Sequence, residues 1–148
     1  LFPTLVRRIG PHLTSAFGLL TLSLGMASQS IVRAQPLHSL FYLINRAGAG
    51  ISDTSTATLV ARTSPTADAR AKNLALIQST RAAARIFTPV VSGSLFAASC
   101  GFRRFPGGLP FLTNAACALL AVPIPLLLRR AERRADAKAK GSGVEQLY

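Results

Sequence analysis

A largely apolar stretch of this sequence is interrupted by two opposite charges. Arg46 and Asp53 lie seven positions apart in NRAGAGISDTSTAT, with Gly48 and Gly50 between them. Seven residues turn an α-helix through about 700°, so the two side chains project within about 20° of each other and lie about 10 Å apart along the axis. An ionisable residue inside a membrane-spanning helix costs at least about 2.5 to 3.5 kcal/mol on insertion scales, and such residues often serve ion or substrate pathways.

These two residues are therefore the candidate site for transport or proton coupling. In one interpretation Asp53 binds and releases a proton during transport, and Arg46 adjusts how readily it does so. In the other, each charge makes a structural polar contact with backbone or with a neighbouring helix. In both cases the two side chains are expected to face the interior of a helix bundle.

Two further arginines, Arg81 and Arg85, lie one turn apart on another predicted helix. They form a possible cytoplasmic gate if they pair with acids outside this chain, or they extend toward lipid phosphates. Pro89, further along the same helix, predicts a kink and a flexing point.

Small residues at helical spacing predict close helix packing. Gly48 with Ser52, and Gly50 with Thr54, form small-x-x-x-small pairs that let another helix backbone approach. Packing of this kind is the commoner use of such spacing, so these glycines are predicted to be packing residues.

The sequence gives no support for enzymatic chemistry. His12 and His38 have no nucleophile or carboxylate at a recognised spacing, and no glycine-rich phosphate loop occurs. Cys100 and Cys117 have no metal-ligand spacing and are interpreted as small buried hydrophobic residues. We therefore predict no catalytic residue, no cofactor and no metal site.

Composition favours a membrane protein. Hydrophobic residues make up 49% of the 148 residues and charged residues only 15%, against roughly 25% in ordinary soluble domains. The net charge of +12 would suit a nucleic-acid-binding protein, but the basic residues lie between apolar runs rather than on an aromatic-rich basic face. The expected partners are therefore membrane lipids and not nucleic acid.

The pattern of apolar runs predicts an all-α polytopic membrane protein with four transmembrane helices. Runs of this length span a bilayer as helices, and Pro123 and Pro125 should bend the last of them. The predicted helices cover 13–32, 37–61, 67–100 and 109–128. Residues 1–12 are predicted to be a cytoplasmic loop or the start of a fragment, and 129–148 a basic, disordered cytoplasmic tail.

The distribution of charge predicts the topology. Basic residues concentrate before the first predicted helix, between the second and third, and after the fourth. By the positive-inside rule both termini are expected in the cytoplasm, and the protein is multi-pass. A transit peptide or signal sequence within residues 1–35 is a second interpretation of the first segment.

The order of these features resembles the last third of a major facilitator superfamily transporter. The segments that carry the resemblance are LVRRIGPHLT, RAGAG, SPTADARAKNLALIQSTRAAARIF, TPVVSGSLF and GGLPFLTNAACALLAVPIPLLLRR. Arg46 and Gly50 match the family's Arg-x-x-x-Gly motif, and Pro89 and Gly93 match part of its Gly-Pro-x-x-Gly-Gly motif. Thr88 departs from that motif, and LVRRIGPH lacks the Asp of the family's loop motif.

The resemblance implies that the chain supplies helices nine to twelve of a twelve-helix carrier, and so part of a half-bundle. It further implies a secondary active transporter for small organic solutes, with possible proton-coupled antiport. The missing N-terminal half would then be a partner, together with a small-molecule substrate and protons. The alternative is a small, basic, four-helix structural subunit of a membrane complex with no transport activity of its own.

Overall fold

The computed structural model describes residues 2–104 and 106–144. The chain is helical with no strand over these ranges, which confirms the predicted all-α class. The helices are α1 (Phe2–Ile9), α2 (Pro11–Ile31), α3 (Gln35–Thr63), α4 (Ala67–Ser99), α5 (Leu109–Ala121) and α6 (Pro123–Val144).

Proline and capping residues set the helix starts. Pro11 opens α2 after Gly10, whose φ of 83° separates it from α1. Proline is tolerated in the first turn because its missing N–H has no partner there in any case. Thr66 caps α4 by accepting a hydrogen bond from the N–H of Ala69 at 3.1 Å.

The fourth predicted helix is divided in two. Its backbone changes at Val122, whose N–H bonds to the carbonyl of Leu119 at 3.2 Å, a tighter pattern than the α-helical one. Pro123 and Pro125 follow directly and provide no N–H to the ladder. The predicted bend therefore lies at the junction of α5 and α6.

Both chain ends are more helical than the sequence predicts. Residues 2–9 form α1 instead of a loop, and α6 continues through the basic tail to Val144 instead of becoming disordered. The tail run RRAERRADAKAK consists largely of Ala, Arg and Lys, which are strong helix formers. Residues 145–148 lie outside the described residues.

The bundle buries polar side chains and exposes large apolar ones. Soluble domains show the opposite arrangement. Thr14 and Ser55 are fully buried, and their hydroxyls donate to the carbonyls of Gly10 and Ile51 four residues earlier, so their polarity is satisfied within the helix. The most exposed large apolar residues include Leu24, Ile31, Leu43, Leu76, Ile86, Phe87, Val90 and Leu120.

Helices α2 and α3 form a tightly packed antiparallel pair. A Cβ placed on Gly48 would lie 2.4 Å from the backbone N of Leu22, and one on Gly18 would lie 2.6 Å from the backbone N of Ser52. A Cβ on Gly25 would lie 2.8 Å from the backbone N of Asn45. Since the neighbouring atoms belong to backbone, only glycine fits at these positions.

Helix α2 is the centre of the bundle. It packs against α3 on one side and against α5 and α6 on another, where the hydroxyl of Ser23 donates to the carbonyl of Ala115 at 2.8 Å. Helix α4 lies at the periphery, and among its described residues only Ser99 is buried.

The bundle has two ends. At the first, which we call the His12 end, His12 from the start of α2 contacts Glu132 of α6. At the second, the Arg33 end, Arg33 after α2 donates to the carbonyl of Arg103 at 3.3 Å.

Two stretches of the described chain are long and apolar enough to cross a membrane. They are Ala67–Ser99, of which 6% of the most apolar window is buried, and Leu109–Ala135, of which 17% is buried. The core helix of a soluble protein would be mostly buried. Of the four predicted spans, the third and fourth therefore meet this test, and the first two do not.

Candidate functional site

A groove of about 460 Å³ lies at the His12 end, between α2, α3 and the α5–α6 junction. We call it the His12 groove. Its lining comprises His12, Ser15, Leu19, Ser52, Thr56, Leu59, Val60, Thr63, Ala121, Ile124, Pro125, Leu128 and Glu132. Apolar side chains therefore form most of its wall, and Glu132 is the only acid in the lining.

One pair of polar side chains, His12 and Glu132, lies at the groove. His12 Nε2 lies 2.7 Å from Glu132 Oε2, and the His12 side chain is 10% exposed against 48% for Glu132. A carboxylate only accepts hydrogen bonds, so Nε2 carries the proton of this contact when Glu132 is ionised. His12 Nδ1 is buried and has no hydrogen-bond partner among the described residues. The pair therefore holds a half-exposed carboxylate in a fixed position beside an apolar groove.

Sequence reasoning missed this pair. His12 and Glu132 are 120 positions apart, and each lies at the edge of a basic segment. No local spacing connects them, and the contact forms only because α6 packs beside the start of α2. The one feature of the sequence that could have pointed to the pair is that Glu132 is the single acid in the run RRAERR.

Two of the four hydroxyls that line the groove are satisfied within their own helix. Thr56 donates to the carbonyl of Ser52 at 2.9 Å, and Thr63 donates to the carbonyl of Leu59 at 3.0 Å. The oxygens of these two threonines keep free lone pairs, so both can accept a hydrogen bond in the groove.

Asp53 is one of the two leading predicted residues. It pairs with Arg81 and not with Arg46, which lies seven positions before it in the sequence. Its Oδ1 accepts a hydrogen bond from Arg81 Nη2 at 2.6 Å, which joins α3 to α4. Arg81 therefore pairs with an acid of this chain, whereas the predicted gate paired it with acids outside this chain.

Arg46 and Asp53 are both exposed in this chain, so neither is buried between its helices, and their facing the interior of a larger bundle stays a prediction. Asn45, Gly48 and Ser55 are buried against α2, and the helical period turns Arg46 and Asp53 away from that face. The two charges do share one face of α3, but it is the face turned away from α2.

The other residues that the sequence predicted for helix packing and for the gate lie in different environments. Gly48 lies at the α2–α3 contact, whereas a Cβ on Gly50 or Gly93 would meet no atom within 4 Å. Arg85 and Pro89 are exposed on α4, which continues as one helix through the proline.

The cysteines and His38 also differ from expectation. Cys100 and Cys117 are free and exposed, so their interpretation as buried residues is wrong. His38 packs edge-on against Phe111, with ring centroids 6.0 Å apart. Among the described residues, no group of three or more His, Cys, Asp or Glu side chains is arranged to hold a metal.

Comparison with known proteins finds no match to any protein-family model, curated protein or solved structure. The resemblance to the major facilitator superfamily therefore stays a prediction, and the function is argued from the geometry.

Proposed function

We propose that this chain is an integral membrane protein and forms part of a secondary transporter for small organic solutes. Membrane embedding is supported by the reversed burial, in which small and polar residues fill the helix contacts and Leu, Ile and Phe face outward. Helices in lipid gain little from burying large apolar side chains, and they pack through small residues and satisfied hydroxyls.

The observation that carries the transport proposal is the His12 groove. It places the fixed, half-exposed carboxylate of Glu132 beside an apolar cavity between three helices. Glu132 lies within the basic run RRAERR, so its carboxylate is at the mouth of the groove, where a solute or a proton would enter. Glu132 is the group that we assign to substrate or proton contact, and His12 positions it.

The proposed orientation places the His12 end in the cytoplasm. The end of α3, the start of α4 and the middle of α6 meet at this end. The basic residues of these segments and of α1 therefore lie near it. They are Arg7, Arg8, Arg62, Arg70, Lys72, Arg129, Arg130, Arg133 and Arg134. The Arg33 end carries Arg33, Arg103 and Arg104, so the positive-inside rule favours a cytoplasmic His12 end.

Cysteine accessibility tests the groove. In a background with Cys100→Ser and Cys117→Ser, a single cysteine is introduced either as Ser52→Cys in the groove or as Leu120→Cys on the outer surface. We expect a membrane-impermeant maleimide to label the first in sealed proteoliposomes and to label the second only after detergent is added. Equal labelling of both without detergent would contradict membrane embedding, and an unlabelled Ser52→Cys would contradict a water-filled groove.

Transport itself is tested in the complete reading frame that contains this chain. Proteoliposomes with an internal pH dye and an imposed proton gradient are challenged with small organic cations, carboxylates and neutral solutes, one at a time. We expect Glu132→Gln to abolish solute-dependent proton movement and Asp53→Asn to impair it, with expression unchanged. Wild-type behaviour in Glu132→Gln would overturn the assignment of the groove.

The second candidate function is a structural subunit of a membrane complex. The exposure of nearly all of α4 favours it, because a helix with so little contact in its own chain has surface free for other helices. The reading frame upstream of Leu1 separates the two functions. Eight further apolar segments would support the carrier, and an immediate start codon would support the subunit.

A further inference from the structure

A second cavity, of about 270 Å³, lies at the Arg33 end, on the opposite side of the bundle from the His12 groove. We call it the Arg33 cavity. Its lining comprises Gln29, Ser30, Val32, Arg33, His38, Phe96, Pro106, Gly107, Gly108 and Phe111. The lining contains a guanidinium, a side-chain amide and an imidazole, and among the described residues it contains no Asp or Glu.

The arginine is held beside the cavity with most of its donors free. Arg33 Nη2 donates to the carbonyl of Arg103 at 3.3 Å. Arg33 is exposed, and because a guanidinium has five N–H donors, this single bond leaves most of them free for a ligand. Planar guanidinium groups bind phosphate oxygens in pairs, with shorter and stronger hydrogen bonds than neutral donors give.

A buried amide supplies a second donor. Gln29 is 4% exposed, and its Oε1 accepts a hydrogen bond from Asn45 Nδ2 at 3.3 Å, which leaves Nε2 as the free end of the amide. Among the described residues Nε2 has no partner. Gln29 also lines the cavity, so Nε2 is free to donate to a ligand there.

The start of α5 forms another wall of the same cavity. Gly108 caps this 13-residue helix and Phe111 lies in its first turn. The N–H of Leu109 donates to the Ser99 hydroxyl at 3.4 Å and Pro110 has no N–H, so the positive end of the helix dipole, rather than a row of free donors, favours an anion at this wall. Gly107 holds this wall close to α4, since its φ is 70° and a Cβ there would lie 2.5 Å from Phe96 Cε2.

We propose that the Arg33 cavity is a binding site for a small phosphate-bearing anion. Donors approach it from the end of α2 and the positive end of the α5 dipole lies at its wall, which suits the several terminal oxygens of a phosphate. The cavity exceeds the size of inorganic phosphate, so the phosphate carries a small organic group, either as a free ester or as a lipid headgroup. The site is independent of the His12 groove and of the proposed transport function.

Equilibrium dialysis of the purified full chain against labelled inorganic phosphate and glycerol 3-phosphate tests the site. We expect saturable binding of one ligand per chain, and about tenfold or greater loss of affinity in Arg33→Gln. Arg103→Gln is the matched control, because it removes an exposed arginine at the same end and keeps the carbonyl that Arg33 contacts. We expect that variant to bind like the wild type.

If Arg33→Gln alters the fold, a second variant still tests the proposal. Gln29→Glu preserves side-chain size and brings a negative charge into the cavity, so binding should disappear while the helical circular dichroism signal stays unchanged. Absence of saturable binding in the wild type, or equal loss in Arg33→Gln and Arg103→Gln, would overturn the proposal.

Nanodiscs distinguish the two sources of phosphate. If a lipid headgroup fills the cavity, nanodiscs with phosphatidic acid will compete with glycerol 3-phosphate, and phosphatidylcholine alone will not. If the ligand is a free ester, both lipid compositions will give the same affinity. In both cases Arg33→Gln should weaken the binding. Competition by the lipid that persists in that variant would place the lipid outside the cavity and contradict its role as the ligand.

Discussion

Helices α3 and α4 carry similar small residues, yet they pack very differently. Gly48 of α3 lies against the backbone of Leu22, whereas Gly93 of α4 has no atom within 4 Å of a Cβ position. The lengths of the connections do not explain the difference, because three residues join α2 to α3 and three also join α3 to α4. The facing surface explains it, since Gly18 and Gly25 of α2 let its backbone approach α3 closely. Helix α4 is instead fixed by a few contacts, chiefly Asp53 with Arg81 and the region of Ser99.

This comparison shows that small-x-x-x-small spacing permits close packing but does not by itself produce it. A second helix must be brought to the small face, and of α3 and α4 it is α3 that meets that condition. The exposed faces of α4 are then available to lipid or to helices of another chain.

The largest expected effect is that of Gly48→Leu. Overpacking costs about 1–3 kcal/mol where side chains can move, and here the obstacle is backbone at 2.4 Å, so the α2–α3 pair should separate. We expect loss of the monodisperse peak in size-exclusion chromatography in detergent and a lowered melting temperature by circular dichroism. The matched control is Gly93→Leu on α4, which should behave like the wild type. Equal damage from both substitutions would contradict the difference between the two helices.

An intermediate effect is expected from Asn45→Ala. Asn45 and Gln29 are both buried, and the substitution removes the hydrogen bond between them and leaves the Gln29 Oε1 acceptor unpaired. The expected loss is about 1–2 kcal/mol, toward the lower end if the unfolded chain stays in the membrane and finds other partners. Thermal melting measures it, with the exposed Asn114→Ala as the control. A stability equal to that of Asn114→Ala would mean that the buried amide pair adds nothing to the α2–α3 contact.

The smallest effect on stability is expected from Arg81→Gln. The Arg81 and Asp53 side chains are 35% and 59% exposed, so solvent screens the ion pair and its loss should cost under about 1 kcal/mol. The position of α4 should change more than the stability. Spin labels at Ala57 and Ala82 should give a broader distance distribution in Arg81→Gln than in Arg85→Gln. An unchanged distribution would show that the ion pair does not hold α4 against α3.

Much of the architecture follows from local features of the sequence. Pro11, Pro36 and the Thr66 cap mark helix starts, and the predicted helices 37–61 and 67–100 lie within two residues of α3 and α4 at each end. The tail was misjudged because polarity was taken as a sign of disorder. Its Ala, Arg and Lys residues form a helix without needing a buried face.

The candidate sites were less predictable. Arg46 and Asp53 stand out in the sequence because charge in an apolar run is costly, and for Asp53 the pairing with Arg81 of α4 offsets part of that cost. The His12–Glu132 pair and the Arg33 cavity gave no comparable signal. Each joins groups that are separated by more than 60 positions.

The sequence by itself determined the helical class, most helix limits and the excess of basic residues, because propensity, capping and charge are local properties. Only the tertiary structure decided which glycines meet a neighbouring backbone, which acid pairs with which base, and where the cavities lie. Those outcomes depend on how the α2–α3 pair orders the other helices around it, and that order is a property of long-range packing.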